Sequence, residues 1–176
     1  VHVIPFAFPR YQIALEQNLD GNLNLQMAKE HLYRLVGRVQ ITQGIVPAIN
    51  AMVWLLDLPN NSELRVWSVL LGFMIPLADA IFLDPLQKKL KSAAAKIQEL
   101  FDCNVLKIPR DSLKTADMPT EETIAEHTMK FKNKKMPDRH LRDWYTFEFE
   151  DLPYPVARLI CQRSNCWWDS KIRRTY

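Results

Sequence analysis

A group of arginine and tryptophan residues near the C-terminus is the part of this sequence best suited to binding chemistry. Five basic residues stand against Asp169 alone in the last nineteen residues. Guanidinium groups pair with phosphates, and indole rings stack on nucleobases. From Pro155 onward the spacing predicts a helix with Arg163, Trp167 and Arg174 on one side. The candidate ligand-binding residues are Arg158, Arg163, Trp167, Trp168, Arg173 and Arg174.

The same helix has two other interpretations. It can lie at a membrane interface with its cationic groups among the lipid headgroups, or it can pack against neighbouring helices. The residues alone leave all three interpretations open.

Three polar side chains interrupt two long apolar stretches: Gln43 and Asn50 in the first and Asp79 in the second. Polar groups in such places either line a pore or form hydrogen bonds between helices. Asp79 is the strongest signal, because a carboxylate costs roughly 2.5 to 3.5 kcal/mol at the centre of a membrane span and less near one end, where Asp79 lies.

The sequence contains no recognisable pattern for catalysis or metal binding. Cys103, Cys161 and Cys166 are odd in number and lack CxxC spacing, which fits a reducing compartment and neither a disulfide framework nor a zinc site. His127 and His140 are isolated and lack a second ligand one helical turn away. Hydrolase, P-loop and zinc-protease motifs are missing from the sequence. We therefore expect a protein that is not an enzyme and has no metal or cofactor.

The apolar stretches, residues 39–56 and 66–83, are eighteen residues long. As helices each would extend about 27 Å, close to the hydrocarbon thickness of a bilayer. The short link between them, with Pro59, Asn60 and Asn61, requires an antiparallel hairpin. Basic residues before the first stretch and after the second predict that both ends face the cytoplasm. The alternative is that both stretches are core helices of a soluble bundle.

The flanking segments should also be helical. Residues 25–38 should run directly into the first span, with a break near Gly21. Asp84 and Pro85 suit the N-cap and first residue of a new helix with an apolar heptad pattern, and Thr120 suits the N-cap of another that ends by Lys135. The sequence thus predicts an all-α fold with an N-terminal segment at 1–38, a transmembrane hairpin at 39–84 and a helical region at 85–176.

Several short motifs resemble one known family. The most specific are Cys161-Gln162-Arg163-Ser164-Asn165, Trp168-Asp169-Ser170 and Arg173-Arg174-Thr175-Tyr176 near the C-terminus. Supporting matches are Gln17-Asn18, Leu32-Tyr33, Gln98-Glu99-Leu100-Phe101-Asp102 and Leu141-Arg142-Asp143-Trp144-Tyr145, in the same order along the chain. The chain resembles the SMODS-associating four-transmembrane effectors of bacterial antiphage defence over nearly its whole length.

This resemblance implies four spans in two hairpins with a cytoplasmic region between them, so we expect the chain to be a fragment that ends where the second pair begins. It implies a multi-pass protein of the bacterial inner membrane that works with a nucleotidyltransferase. The expected signal is a cyclic di- or trinucleotide, and the expected output is membrane disruption by a homo-oligomer in contact with lipids. No DNA or RNA polymer is expected as a partner, and no enzymatic activity is implied.

Overall fold

The computed structural model describes residues 12–55, 62–109, 118–145 and 152–175, and the regular structure in these ranges is entirely helical. The predicted all-α fold is therefore confirmed. In chain order the elements are α1 (Gln12–Glu16), α2 (Asp20–Leu55), α3 (Ser62–Ala78), a π-helical turn (Asp79–Leu83), α4 (Asp84–Val105), α5 (Glu121–Asn133), a 3-10 turn (Arg139–Leu141) and α6 (Tyr154–Thr175).

Two long antiparallel helices organise the molecule. One is α2, about 54 Å long at 1.5 Å per residue. The other is formed by α3, the π-helical turn and α4, which follow one another without a break from Ser62 to Val105. Hydrogen bonds from Lys29 to Gln98 and from Gln43 to Asp79 show that residue numbers rise along one helix as they fall along the other. The predicted link between the spans lies at 56–61, outside the described residues.

The half of this pair that contains the N-terminal part of α2 and most of α4 has a well-packed core. Leu25, Ala28 and Leu32 of α2 meet Ile97 and Phe101 of α4 there. Helix α6 covers the same core, while α5 and the 3-10 turn form a smaller apolar cluster on another side of α2. We call this half the polar bundle, meaning the described residues of 12–38, 84–109, 118–145 and 152–175.

The other half, which we call the apolar arm (residues 39–55 and 66–83), exposes its apolar side chains. Phe73 is 72% exposed and Phe82 is 68% exposed. Among the described residues, one helix, Val66–Val105, is long and apolar enough to cross a membrane, and only 6% of its apolar eighteen-residue stretch is buried. A core helix of a soluble protein would be mostly buried, so the exposure favours a span for 66–83. The span predicted at 39–56 is helical through Leu55 and stays a prediction as a membrane segment.

The prediction that Asp84 caps a new helix is wrong. The chain is already helical at Leu83, and Asp84 instead forms an ion pair with Lys88, with Nζ and Oδ2 2.7 Å apart. Pro85 lacks the N–H that would bond to the preceding turn, and its ring crowds the carbonyl four residues earlier. The wider π-helical turn at Asp79–Leu83 relieves this crowding without ending the helix.

Other boundary predictions fare better. Residues 25–38 do continue into the apolar stretch as one helix, although the preceding break lies at 17–19 and Gly21 is already inside α2. Thr120 caps α5 by accepting a hydrogen bond from the Thr123 N–H, with Glu121 in the first turn, and α5 ends before Lys135 as predicted. The division into segments at residues 38 and 84 stays a prediction.

Candidate functional site

A buried polar network joins α4, α6 and the segment that follows the 3-10 turn. The Asp102 carboxylate lies at its centre. It accepts hydrogen bonds from the Tyr145 hydroxyl at 2.6 Å and from Gln98 Nε2 at 2.7 Å. Asn165 of α6 donates to the other carboxylate oxygen at 2.9 Å and also to the Tyr145 hydroxyl at 2.9 Å. Both oxygens of Asp102 are thus satisfied within the protein.

Lys29 extends the network to α2. Its Nζ donates to Gln98 Oε1 at 2.7 Å, so Gln98 connects the lysine to the Asp102 carboxylate. The same Nζ lies 3.7 Å from the centroid of the Trp144 ring, a cation–π contact. Since Lys29 is 5% exposed, these contacts replace most of its water.

Burial changes the acid–base behaviour of the network. It lowers the pKa of Lys29 to about 8, against the attraction of the Asp102 charge. Burial also raises the pKa of Asp102, against the hydrogen bonds from Tyr145 and Gln98. The pKa of Tyr145 rises because of burial and the nearby Asp102 charge. Burial therefore disfavours the charged forms of Lys29 and Asp102, and the contacts within the network favour them.

The segment that carries Tyr145 is fixed to the link between α1 and α2 by paired hydrogen bonds. Gln17 receives one from the Tyr145 N–H at 2.8 Å and donates one to the Tyr145 carbonyl at 3.3 Å. Asn18 receives one from the Asp143 N–H at 3.2 Å and donates one to its carboxylate at 2.7 Å. Asp143 has a φ of 52°, a left-handed conformation that Asp tolerates better than most residues. These bonds hold it there.

The arrangement is suited to holding helices together and not to activating a nucleophile. Cys161 lies in the apolar core beside the network, and burial followed by the Asp102 charge raises the pKa of its thiol to about 11. A thiol with this pKa stays protonated and unreactive near neutral pH. The described residues contain no group of three or more His, Cys, Asp or Glu that could hold a metal ion.

His127 is not isolated, contrary to the prediction. Its Nδ1 lies 2.9 Å from the Nδ1 of His31 on α2, and His31 Nε2 lies 3.3 Å from the Lys134 Nζ. Because an ammonium group can only donate, this network assigns the His31 proton to Nδ1, where it is donated to His127. Burial and the Lys134 charge lower the pKa of His31 to about 4, which keeps the pair neutral.

The three polar residues that the sequence singled out in the apolar arm, Gln43, Asn50 and Asp79, lie between its helices. Gln43 Nε2 donates to Asp79 Oδ1 at 2.6 Å. The Asn50 amide nitrogen lies 3.7 Å from the position that a Cβ would occupy at Gly72, so α3 approaches α2 closely there. The arm therefore pairs polar groups inside and exposes apolar groups outside, the reverse of a soluble helical pair.

The residues predicted to bind a ligand are spread around α6. Arg163 and Trp167 share its exposed face, one turn apart. Arg158 is half-buried and lies five residues before Arg163, about 140° around the helix. Trp168, Arg173 and Arg174 belong to α6, but their side chains lie outside the described residues. The structure thus brings together Arg163 and Trp167 but not Arg158, and ligand binding by all six stays a prediction.

Sequence reasoning missed the Asp102 network as a site, although its residues lie within the motifs that carried the family resemblance. Gln98 begins and Asp102 ends one motif, Tyr145 ends another, and Asn165 ends a third. The signal that could have found them is polar side chains recurring at the ends of separate motifs.

One open groove of about 440 Å³ lies among the described residues, near the end of α4 that is far from the apolar arm. Glu16 and Lys107 form an ion pair in its wall, with Oε1 and Nζ 2.9 Å apart. Because this pair cancels its own charge, the groove offers no net positive field for a phosphate.

Comparisons with known proteins identify the family. A sequence model of the SMODS-associating 4TM effector domain matches residues 11–176. A protein from Bacillus cereus (strain VD146), described as a probable CBASS effector molecule, is 26% identical over 167 residues. That alignment covers 92% of this chain and 55% of the relative, so the chain spans about half the length of the curated relative it matches. No solved structure matches. Because the family model covers nearly the whole chain, this protein belongs to the SMODS-associating 4TM effector domain family.

Proposed function

We propose that this chain is the signal-sensing region and one membrane hairpin of an antiphage effector of the bacterial inner membrane. The polar bundle lies in the cytoplasm and binds a cyclic di- or trinucleotide made by a partner nucleotidyltransferase. Binding favours a homo-oligomer whose apolar arms disrupt the membrane. The family and the CBASS relative support this assignment, and no enzymatic step is part of it.

The observation that carries the proposal is the inside-out apolar arm attached to the polar bundle by uninterrupted helices. Apolar side chains such as Phe73 and Phe82 face outward, while Gln43 and Asp79 bond to each other inside. Such an arm is stable in hydrocarbon and unfavourable in water. Because α2 and the α3–α4 helix each belong to both halves, a change of packing in the polar bundle is transmitted to the arm.

The Asp102 network supplies a route for that change. A ligand bound at the face of α6 with Arg163 and Trp167 would contact the helix that carries Asn165. Asn165 is bonded to Asp102 on α4, and α4 continues into α3. A ligand that prefers a shifted α6 would thereby shift the population of arm conformations in proportion to its differential affinity.

A dye-release assay tests the proposal. Full-length protein is reconstituted in liposomes and treated with a panel of cyclic di- and trinucleotides. We expect release with one class of nucleotide, and loss of that release in Arg163→Ala and Trp167→Ala. Arg142→Ala is the matched control, since Arg142 is exposed and paired only with Asp138 among the described residues. Absence of release with every nucleotide would overturn the proposal.

A second candidate is a membrane-anchored interaction protein, in which α6 binds another subunit or anionic lipid. The exposed apolar side chains of α6 favour it, since Leu159 is 65% exposed and Trp167 is 54% exposed on this basic helix. Titration of the purified protein with cyclic oligonucleotides separates the two candidates. Saturable binding that Arg163→Ala weakens supports the sensor, and no saturable binding supports the interaction protein.

A further inference from the structure

A layer of basic side chains lies along the long helix pair where the polar bundle meets the apolar arm. Two hydrogen bonds between the helices mark the limits of this region: Lys29 to Gln98 on the side of the polar bundle, and Gln43 to Asp79 on the side of the apolar arm. Lys29 and Gln43 are fourteen positions apart on α2, which corresponds to about 21 Å of helix. The cationic side chains within this interval are Arg34, Arg38, Lys88, Lys89, Lys91 and Lys96. All of them except Lys96, which lies close to Gln98, form what we call the basic layer.

The apolar surface starts directly above the basic layer. Ile41 of α2 is 60% exposed, and Phe82 at the end of the π-helical turn is 68% exposed. Arg38 is three residues below Ile41, a rise of about 4.5 Å. If the exposed apolar surface is in hydrocarbon, the basic layer is at the depth of the lipid headgroups.

The basic layer is only partly neutralised by the protein. Glu30 pairs with Arg34 at 2.8 Å, and Asp84 pairs with Lys88 at 2.7 Å. Arg38, Lys89 and Lys91 are exposed and form no ion pair with another residue in the described ranges. Three cations therefore face outward at this depth.

We propose that the basic layer binds the phosphodiester headgroups of anionic glycerophospholipids, with Arg38, Lys89 and Lys91 as the binding residues. This proposal rests on membrane insertion of the apolar arm, which is part of the proposed function, and it does not depend on a nucleotide signal. Arginine can hold a phosphate through two parallel hydrogen bonds, and lysine attracts it as a point charge. The bound lipids fix the height of the long helices in the bilayer.

Lipid selectivity measured by electron paramagnetic resonance tests this proposal. Full-length protein is reconstituted in phosphatidylcholine with trace spin-labelled phosphatidylglycerol or phosphatidylcholine, and the motionally restricted fraction of each label is compared. Contact with one cation raises the relative association constant of an anionic headgroup on the order of 5-fold. We expect a preference of that size for phosphatidylglycerol at low salt, and a smaller one at high salt.

Two triple variants make the test specific. Arg38→Gln, Lys89→Gln and Lys91→Gln together should bring the preference close to unity, while Arg38→Lys alone should keep it. Lys130→Gln, Lys135→Gln and Arg139→Gln are the matched control, because they remove the same charge from exposed positions outside the basic layer. The proposal is overturned if wild-type protein shows no preference, or if the control variant loses it equally. If the protein shows no lipid preference but still releases dye in response to a nucleotide, the lipid proposal is wrong and the proposed function is unaffected.

Discussion

Replacing Tyr145 by Phe should loosen the docking of α6 on the polar bundle. The hydroxyl donates to Asp102 at 2.6 Å and accepts from Asn165 at 2.9 Å. Tyr145 is 4% exposed, so water cannot easily replace the lost hydroxyl. A hydrogen bond to a charged group contributes about 1.5 to 3 kcal/mol. We therefore expect the free energy of local opening of α6 to fall by about 2 kcal/mol. This fall corresponds to about a 30-fold larger equilibrium constant for opening.

Hydrogen exchange of the backbone amides of α6 measures this effect directly in the full-length protein. Tyr154→Phe is the matched control, because the Tyr154 hydroxyl donates to the neutral Leu106 carbonyl at 2.8 Å on the same helix interface. A neutral bond of this kind contributes about 1 kcal/mol, or about a 5-fold change in exchange. Equal acceleration in the two variants would refute the argument that the Asp102 charge strengthens the network.

Three further predictions concern Lys29, Asp79 and the cysteines. Because the pKa of Lys29 is lowered to about 8 from an ordinary 10.5, the folded protein binds fewer protons than the unfolded chain between those values. Stability should then rise by up to roughly 3 kcal/mol over this window, and Lys29→Met should flatten the rise in urea unfolding curves. Asp79→Asn should keep α2 and α3 paired because it preserves an acceptor for Gln43, whereas Asp79→Ala should broaden the distance distribution between spin labels on the two helices. Iodoacetamide at pH 8 should modify the exposed Cys166 and spare the buried Cys161, as mass spectrometry can show.

Local patterns in the sequence predicted most of the helices correctly. The Thr120 cap and the run of helix from residue 25 through the apolar stretch depend on neighbouring residues only, so they can be read from the sequence. The prediction that a new helix starts with Asp84 as its cap is wrong for a physical reason. Proline is tolerated both in the first turn of a helix and directly after a wide π-helical turn, and the local sequence does not distinguish these cases.

The centre of the polar bundle could not be predicted in the same way. Asp102 meets Tyr145 and Asn165 across 43 and 63 residues of sequence, so the contacts exist only after three segments pack together. The His31–His127 pair spans 96 residues for the same reason. Charge density drew attention to α6, whereas the buried network is built mainly of amides, a hydroxyl and one carboxylate.

The central claim is that the exposed apolar side chains of α3 lie in hydrocarbon. A spin label at position 73, introduced as Phe73→Cys into full-length protein with its native cysteines replaced and reconstituted in liposomes, tests this most directly. Phe73 is 72% exposed, so the label should not disturb packing within the chain. Collisions with oxygen, which concentrates in lipid, should be frequent, and collisions with a water-soluble nickel complex should be rare. The reverse pattern, with high nickel and low oxygen accessibility, would contradict the account.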